Sequence, residues 1–157
     1  MKLRYLYLSG LGLAIITAVL GILTVCSKIG SDSPKAVVIK LFGAMEKNRT
    51  QDIPLLVDLP ALMKIRDQDY ALQTDKPRIF YAPEDILRDL TGDGLTKQRW
   101  FAMQRIVGNT DVAGDTAFVE VSFIDKSTNT QYYNKFGLRK LHGRWKIYSF
   151  KTISPSK

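Results

Sequence analysis

Residues 5–27, "YLYLSGLGLAIITAVLGILTVCS", carry no charge between Arg4 and Lys28. As a helix rising about 1.5 Å per residue, a run of this length crosses a ~30 Å hydrocarbon core. It is longer than the apolar part of a cleaved secretory signal, usually about 7–15 residues. Tyr5 and Tyr7 fit an interfacial belt, and Lys2 and Arg4 precede the run, so the positive-inside rule puts the N-terminus in the cytoplasm. The chain then divides into a cytoplasmic end (1–4), a single-pass signal anchor (5–27), a polar tether (28–33), one domain (34–153) and a tail (154–157). The domain is placed outside a bacterial inner membrane, in the periplasm or beyond the cell.

Cys26 is the only cysteine. A bacterial lipoprotein is cleaved just before a lipidated cysteine that follows Leu, a small residue and Gly, Ala or Ser. The approach here is Leu23-Thr24-Val25-Cys26. Val25 fits that site poorly, which favours the uncleaved anchor, with a lipoprotein lipidated at Cys26 as the alternative. Gly10, Ala14 and Ala18 are spaced by four, as in closely packed membrane helices, but such residues are common in any span.

The remaining ~125 residues suffice for one core without staples. One cysteine and one histidine among 157 residues leave no intramolecular disulfide, no cysteine zinc site and no histidine cluster. No cofactor or metal is expected. The net charge of +8 comes wholly from the end of the chain, because residues 126–157 hold eight Lys/Arg and no Asp or Glu. Such segregation suits either a solvated basic face or a surface that docks an anion.

Ser33-Pro34 reads as an N-cap with proline at the first helical position. Val37/Val38, Leu41/Phe42 and Met45 recur at helical spacing, predicting an amphipathic helix over 34–48. Residues 53–65 read as two short helical pieces around Pro54 and Pro60, residues 66–83 as a surface loop, and 83–90 as a helix stopped by Gly92 and Gly94. The period then changes to two, predicting strands at 97–109, 115–126, 130–141 and 144–153 with short joins. Helices followed by an antiparallel meander make the domain α+β, with helices on one face of a curved sheet.

This order, and the ending "LRKLHGRWKIYSF" above all, resembles the cone-shaped nuclear-transport-factor-2-like superfamily, which includes ketosteroid isomerases and polyketide cyclases. The likeness covers about residues 34–153. It implies a cone of helices on a curved sheet, with Trp145 directed inward, and either a small-molecule pocket or an assembly role. The isomerases of the superfamily use a carboxylate base and a Tyr-containing oxyanion hole in an apolar cone. Here Glu120 and Tyr132 are the best acid-and-hydroxyl pair, with Asn134 and Trp145 beside them as a candidate lining for a small apolar ligand. The likeness is one of pattern and speaks to fold more than to chemistry.

"DLTGDG" (89–94) imitates the first half of a calcium loop at Asp89, Thr91, Asp93 and Gly94. The position requiring a bidentate Glu is Trp100, and Lys97 precedes it, so the match fails. His142 has no partner in sequence. If His142-Gly143 is a two-residue turn, Leu141 faces Arg144, Lys140 faces Trp145, Arg139 faces Lys146 and Leu138 faces Ile147. Phe136, Leu138, Trp145 and Ile147 then share the core face. Lys135, Arg139, Arg144 and Lys146 share the other with Tyr148 and Phe150. Arg139 opposite Lys146 repels unless an anion intervenes: a neighbouring carboxylate, a lipid phosphate or a protein partner. Lys135, Arg139, Arg144, Lys146 and Tyr148 therefore form the candidate docking patch of a non-catalytic, membrane-anchored module. Its expected partners are membrane lipid and an envelope protein, not nucleic acid.

Overall fold

A computed structural model describes residues 32–64 and 80–153, and of 151–153 the backbone alone. The anchor, Cys26, most of the tether, the 66–79 loop and the tail lie outside the described residues. Among the described residues no helix is long and apolar enough to cross a membrane.

Helix α1 (Pro34–Glu46) starts as its sequence dictates. The Ser33 hydroxyl oxygen accepts the Ala36 N–H at 3.2 Å, and Pro34 holds the first position. Its apolar stripe (Val37, Val38, Leu41, Phe42, Met45) is buried. A 3-10 turn (Thr50–Asp52) leads to two short helices, α2 (Ile53–Leu56) and α3 (Leu59–Lys64). Helix α4 (Pro83–Leu90) follows. Its N3 residue, Asp85, reaches back to accept the N–H groups of Tyr81 and Ala82, both at 3.0 Å.

Residues 97–102 depart from the expected strand. Leu95–Ala102 form helix α5, because Asp89 caps it from the end of α4: the carboxylate accepts the Thr96 amide at 3.3 Å and also the Thr96 hydroxyl. That helix carries Trp100 into the core, fully buried. The first strand begins only at Gln104 and continues through 110–113, beyond the expected end at 109. The sheet is a four-stranded antiparallel meander in sequence order: β1 (Gln104–Ala113), β2 (Thr116–Asp125), β3 (Thr130–Leu141) and β4 (Arg144–Ile153). The domain is thus α+β, with helices packed on one sheet face.

Two irregularities decide which side chains reach that face. In β1 the pairing jumps from Val107–Val121 to Thr110–Val119, leaving Gly108 and Asn109 together opposite Glu120. In β4 it jumps from Leu138–Ile147 to Gly137–Ser149, leaving Tyr148 as the extra residue. A bulge of one residue inverts the parity beyond it. Phe150 therefore lies in the core, fully buried, and not beside Tyr148 and Lys146 as plain alternation suggests. The Tyr148 ring folds over Gly137 on the outer face, where a Cβ would meet its Cζ at 2.9 Å.

Between helices and sheet the space is filled with rings. Trp100 lies 5.2 Å from Phe123, 5.4 Å from Phe136 and 5.2 Å from Phe150, with Phe42 at 5.9 Å on its edge. Val119, Val121, Leu138 and Ile147 complete the sheet side of this core.

Candidate functional site

The acid-and-hydroxyl pair expected within the domain is not assembled. Strand β2 turns Val119, Val121 and Phe123 inward, so Glu120 between them faces outward, paired across the strands with Lys135. Tyr132 stands across from Phe123 on the inner face and packs against the core, on the side of the sheet away from Glu120. Asn134 and Trp145 do face the core, 1 % and 7 % exposed. They are buried with the core that Trp100 fills.

The hairpin around His142-Gly143 forms in the expected register, Leu141–Arg144 through Leu138–Ile147. Both turn residues take left-handed φ values, +49° and +77°, as a two-residue turn of this hand requires. Arg139 thus stands directly opposite Lys146, and the chain supplies the missing anion itself. Arg139 donates through Nε at 3.0 Å and through Nη2 to Asp58 Oδ2. The other Asp58 oxygen accepts the Ala61 amide at 3.2 Å, capping α3. Lys146 Nζ donates to the Pro54 carbonyl at 2.8 Å. The same segment lies along β4, where the Asp58 N–H reaches the Ile147 carbonyl at 2.8 Å and Val57 forms a bridge with Ile147.

The patch read from sequence is therefore divided. Arg139 and Lys146 are tied to the 54–58 segment. Lys135 sits farther along β3, across from Glu120 on one side and Lys151 on the other. Arg144 is exposed at the hairpin tip, and Tyr148 covers Gly137. Sequence reading missed Asp58 and Pro54. The available signal was Asp58 as the only charge in "IPLLVDLPAL", with Pro60 two residues on, the mark of a helix start.

The hairpin and the 54–60 segment enclose an open depression of about 640 Å³. Pro54, Leu59, Pro60 and Leu141 form its apolar walls, and Arg144 and Lys146 its cationic ones. Asp58 is the one acid among its described lining residues, and it is engaged by Arg139 and by the cap of α3.

Elsewhere the charged groups serve the fold. Arg105, on the inner face of β1, donates to the Trp100 carbonyl at 3.1 Å and stacks 3.8 Å from the Phe101 ring centre. Burial lowers its pKa from the ordinary value, and Glu46 opposes that. In "DLTGDG" the Asp89 carboxylate caps a helix and Trp100 fills the core. Among the described residues no group of three or more His, Cys, Asp or Glu side chains comes together. No family model matches the chain, and no curated protein or solved structure matches it either.

Proposed function

We propose that this chain is a membrane-tethered, extracytoplasmic binding or assembly module without chemistry of its own. The aromatic filling of the interior carries this reading. Trp100, Phe123, Phe136 and Phe150 fill the interior that an isomerase or cyclase of cone shape would keep for substrate, and Glu120, the acid of the expected pair, points away from it. A module of this kind acts through its surface. The outer sheet face offers one: Ile106, Phe118 and Tyr133 are each more than two-fifths exposed there, beside Glu120 and Lys135. Apolar side chains set among charges suit a protein partner. The helix-first order and four-stranded meander support reading the fold as nuclear-transport-factor-2-like. The uncharged run at 5–27 supports a bacterial inner-membrane anchor, with Cys26 at its outer end.

The test places a photo-crosslinking amino acid at Phe118 in the full-length chain within intact cells, with Glu84 as an exposed control site. A discrete protein adduct from position 118, absent from position 84, is expected. A reporter fused after residue 157 should be active only outside the cytoplasm. No adduct from the outer face, or a cytoplasmic reporter, would overturn the reading.

A further inference from the structure

From the depression between the β3–β4 hairpin and the 54–60 segment we infer that this chain has a binding site for a phosphate group carried on an apolar or glycerol-like body. The depression lies at the hairpin end of β4 beside the 54–60 segment, apart from the Ile106, Phe118 and Tyr133 patch, and the inference does not rest on the partner proposed there.

Charge is the first argument. Of the three cations on this side of the hairpin, Arg139 is neutralised by Asp58. Arg144 and Lys146 have no acid partner among the described residues. They are two apart on one strand, so their side chains leave the same face with Cα atoms roughly 6.5–7 Å apart. Lys146 is half-buried, and its acceptor among the described residues is the neutral Pro54 carbonyl, which uses one of three N–H bonds. Two unneutralised cations held side by side in a concavity attract an anion more strongly than the same pair on an open face.

The second argument is chemical. A carboxylate would match one of the two charges. A phosphate monoester brings about −1.5 to −2 and three acceptor oxygens. It meets the guanidinium fork of Arg144 and the ammonium of Lys146 together. Shape is the third. Pro54, Leu59, Pro60 and Leu141 wall the depression and suit the organic part of an ester. The Arg139–Asp58 pair, anchored to the α3 cap, fixes the 54–60 wall against the hairpin, so the site exists before its ligand arrives. The ester is either soluble or a lipid headgroup, since both present the same phosphate.

The experiment uses the full-length chain in a neutral detergent, titrated calorimetrically with inorganic phosphate, glycerol 1-phosphate and a short-chain phosphatidic acid. At least one ester should bind, and binding should weaken as salt rises. R144Q removes an exposed, unpaired side chain and leaves the fold alone. It should weaken binding about tenfold or more, the loss of one charge-assisted hydrogen bond. K146Q should do the same. K47Q, an equal charge loss at the end of α1, should leave affinity unchanged. Phosphatidic acid binding far more tightly than glycerol 1-phosphate assigns the site to a lipid headgroup, and equal affinities assign it to a soluble ester. The inference is overturned if no probe binds, if R144Q binds like wild type, or if K47Q loses as much as R144Q.

Discussion

Arg139 shows how one distant residue reverses the meaning of a local pattern. Two cations face to face across a hairpin suggest that removing them relieves strain. With Asp58 accepting both Nε and Nη2 of Arg139, removal does the opposite. The Asp58 side chain is 7 % exposed and the Arg139 side chain 45 %, so taking away the arginine strands a buried carboxylate. Arg139→Ser should therefore destabilise the protein by about 1–3 kcal/mol. Asp58→Asn should cost less, because the amide oxygen still accepts one bond and Arg139 keeps access to water. Chemical denaturation of the two variants and their double mutant checks this, and additive losses would show the pair uncoupled. The hairpin register was legible because a polar-Gly dipeptide fixes it. Asp58 was not, because 81 residues separate it from Arg139. Two other carboxylates give a pH signature. Asp85 is held below the ordinary carboxylate range by the Tyr81 N–H, then by Arg88 and the Ala82 N–H. Asp125 is held there by the Ser127 hydroxyl and then the Ser127 N–H. A pKa depressed in the folded state stabilises above the unfolded value, and that contribution disappears as pH falls through the folded one. Melting midpoints of wild type should thus fall more steeply below the ordinary carboxylate range than those of an Asp85→Asn, Asp125→Asn double variant. Parallel curves would contradict the assignment.

Helices and strands were legible wherever a local signal agreed with tertiary packing. Ser33-Pro34 opens α1, Pro83 opens α4, and β2 alternates cleanly. Two elements escaped. "KQRWFA" reads almost equally well at either period, and it becomes helical because Asp89, a residue of the preceding helix, caps it through Thr96. The β4 bulge has no sequence mark, since Tyr148 is a good strand residue. Its consequence can be tested at the scale of the strand. Deleting a residue from a paired strand normally moves everything beyond it to the wrong face. Deleting Tyr148 instead closes the bulge. Ile147 stays opposite Leu138, Ser149 stays opposite Gly137, and Phe150 keeps its place against Phe136. That deletion should leave a cooperatively melting protein, weakened by the buried part of one ring, about 1–2 kcal/mol. Deleting Phe123, where β2 pairs without a break against both β1 and β3, should abolish the cooperative transition. Equal damage from both deletions would show that Tyr148 is part of a regular strand.

At the scale of the whole domain, the decisive property is an interior filled with aromatic rings among the described residues, and the sequence pointed to the wrong tryptophan. Trp145 was expected inside and does face the core, at 7 % exposure, but the centre belongs to Trp100. Reading 97–109 as a strand hid this, because only a helix projects Trp100 from α5 among Phe42, Phe123, Phe136 and Phe150. Its indole N–H has no acceptor among the described residues, which marks a site chosen for volume and not for hydrogen bonding. Trp100→Ala should cost about 3–5 kcal/mol, a large share of the ~5–15 kcal/mol that holds a domain of this size together. Trp100→Phe should cost less than its lost volume suggests, because it also removes the unpaired donor. The alanine variant turns the filled interior into a dry aromatic-lined cavity, and cavities of that kind take up small apolar molecules. Indole should raise the melting midpoint of Trp100→Ala and leave wild type unmoved, since a ligand stabilises only a state that has room for it. If indole raises both midpoints equally, wild type already contains a pocket, and a ligand-binding enzyme replaces the surface-acting module.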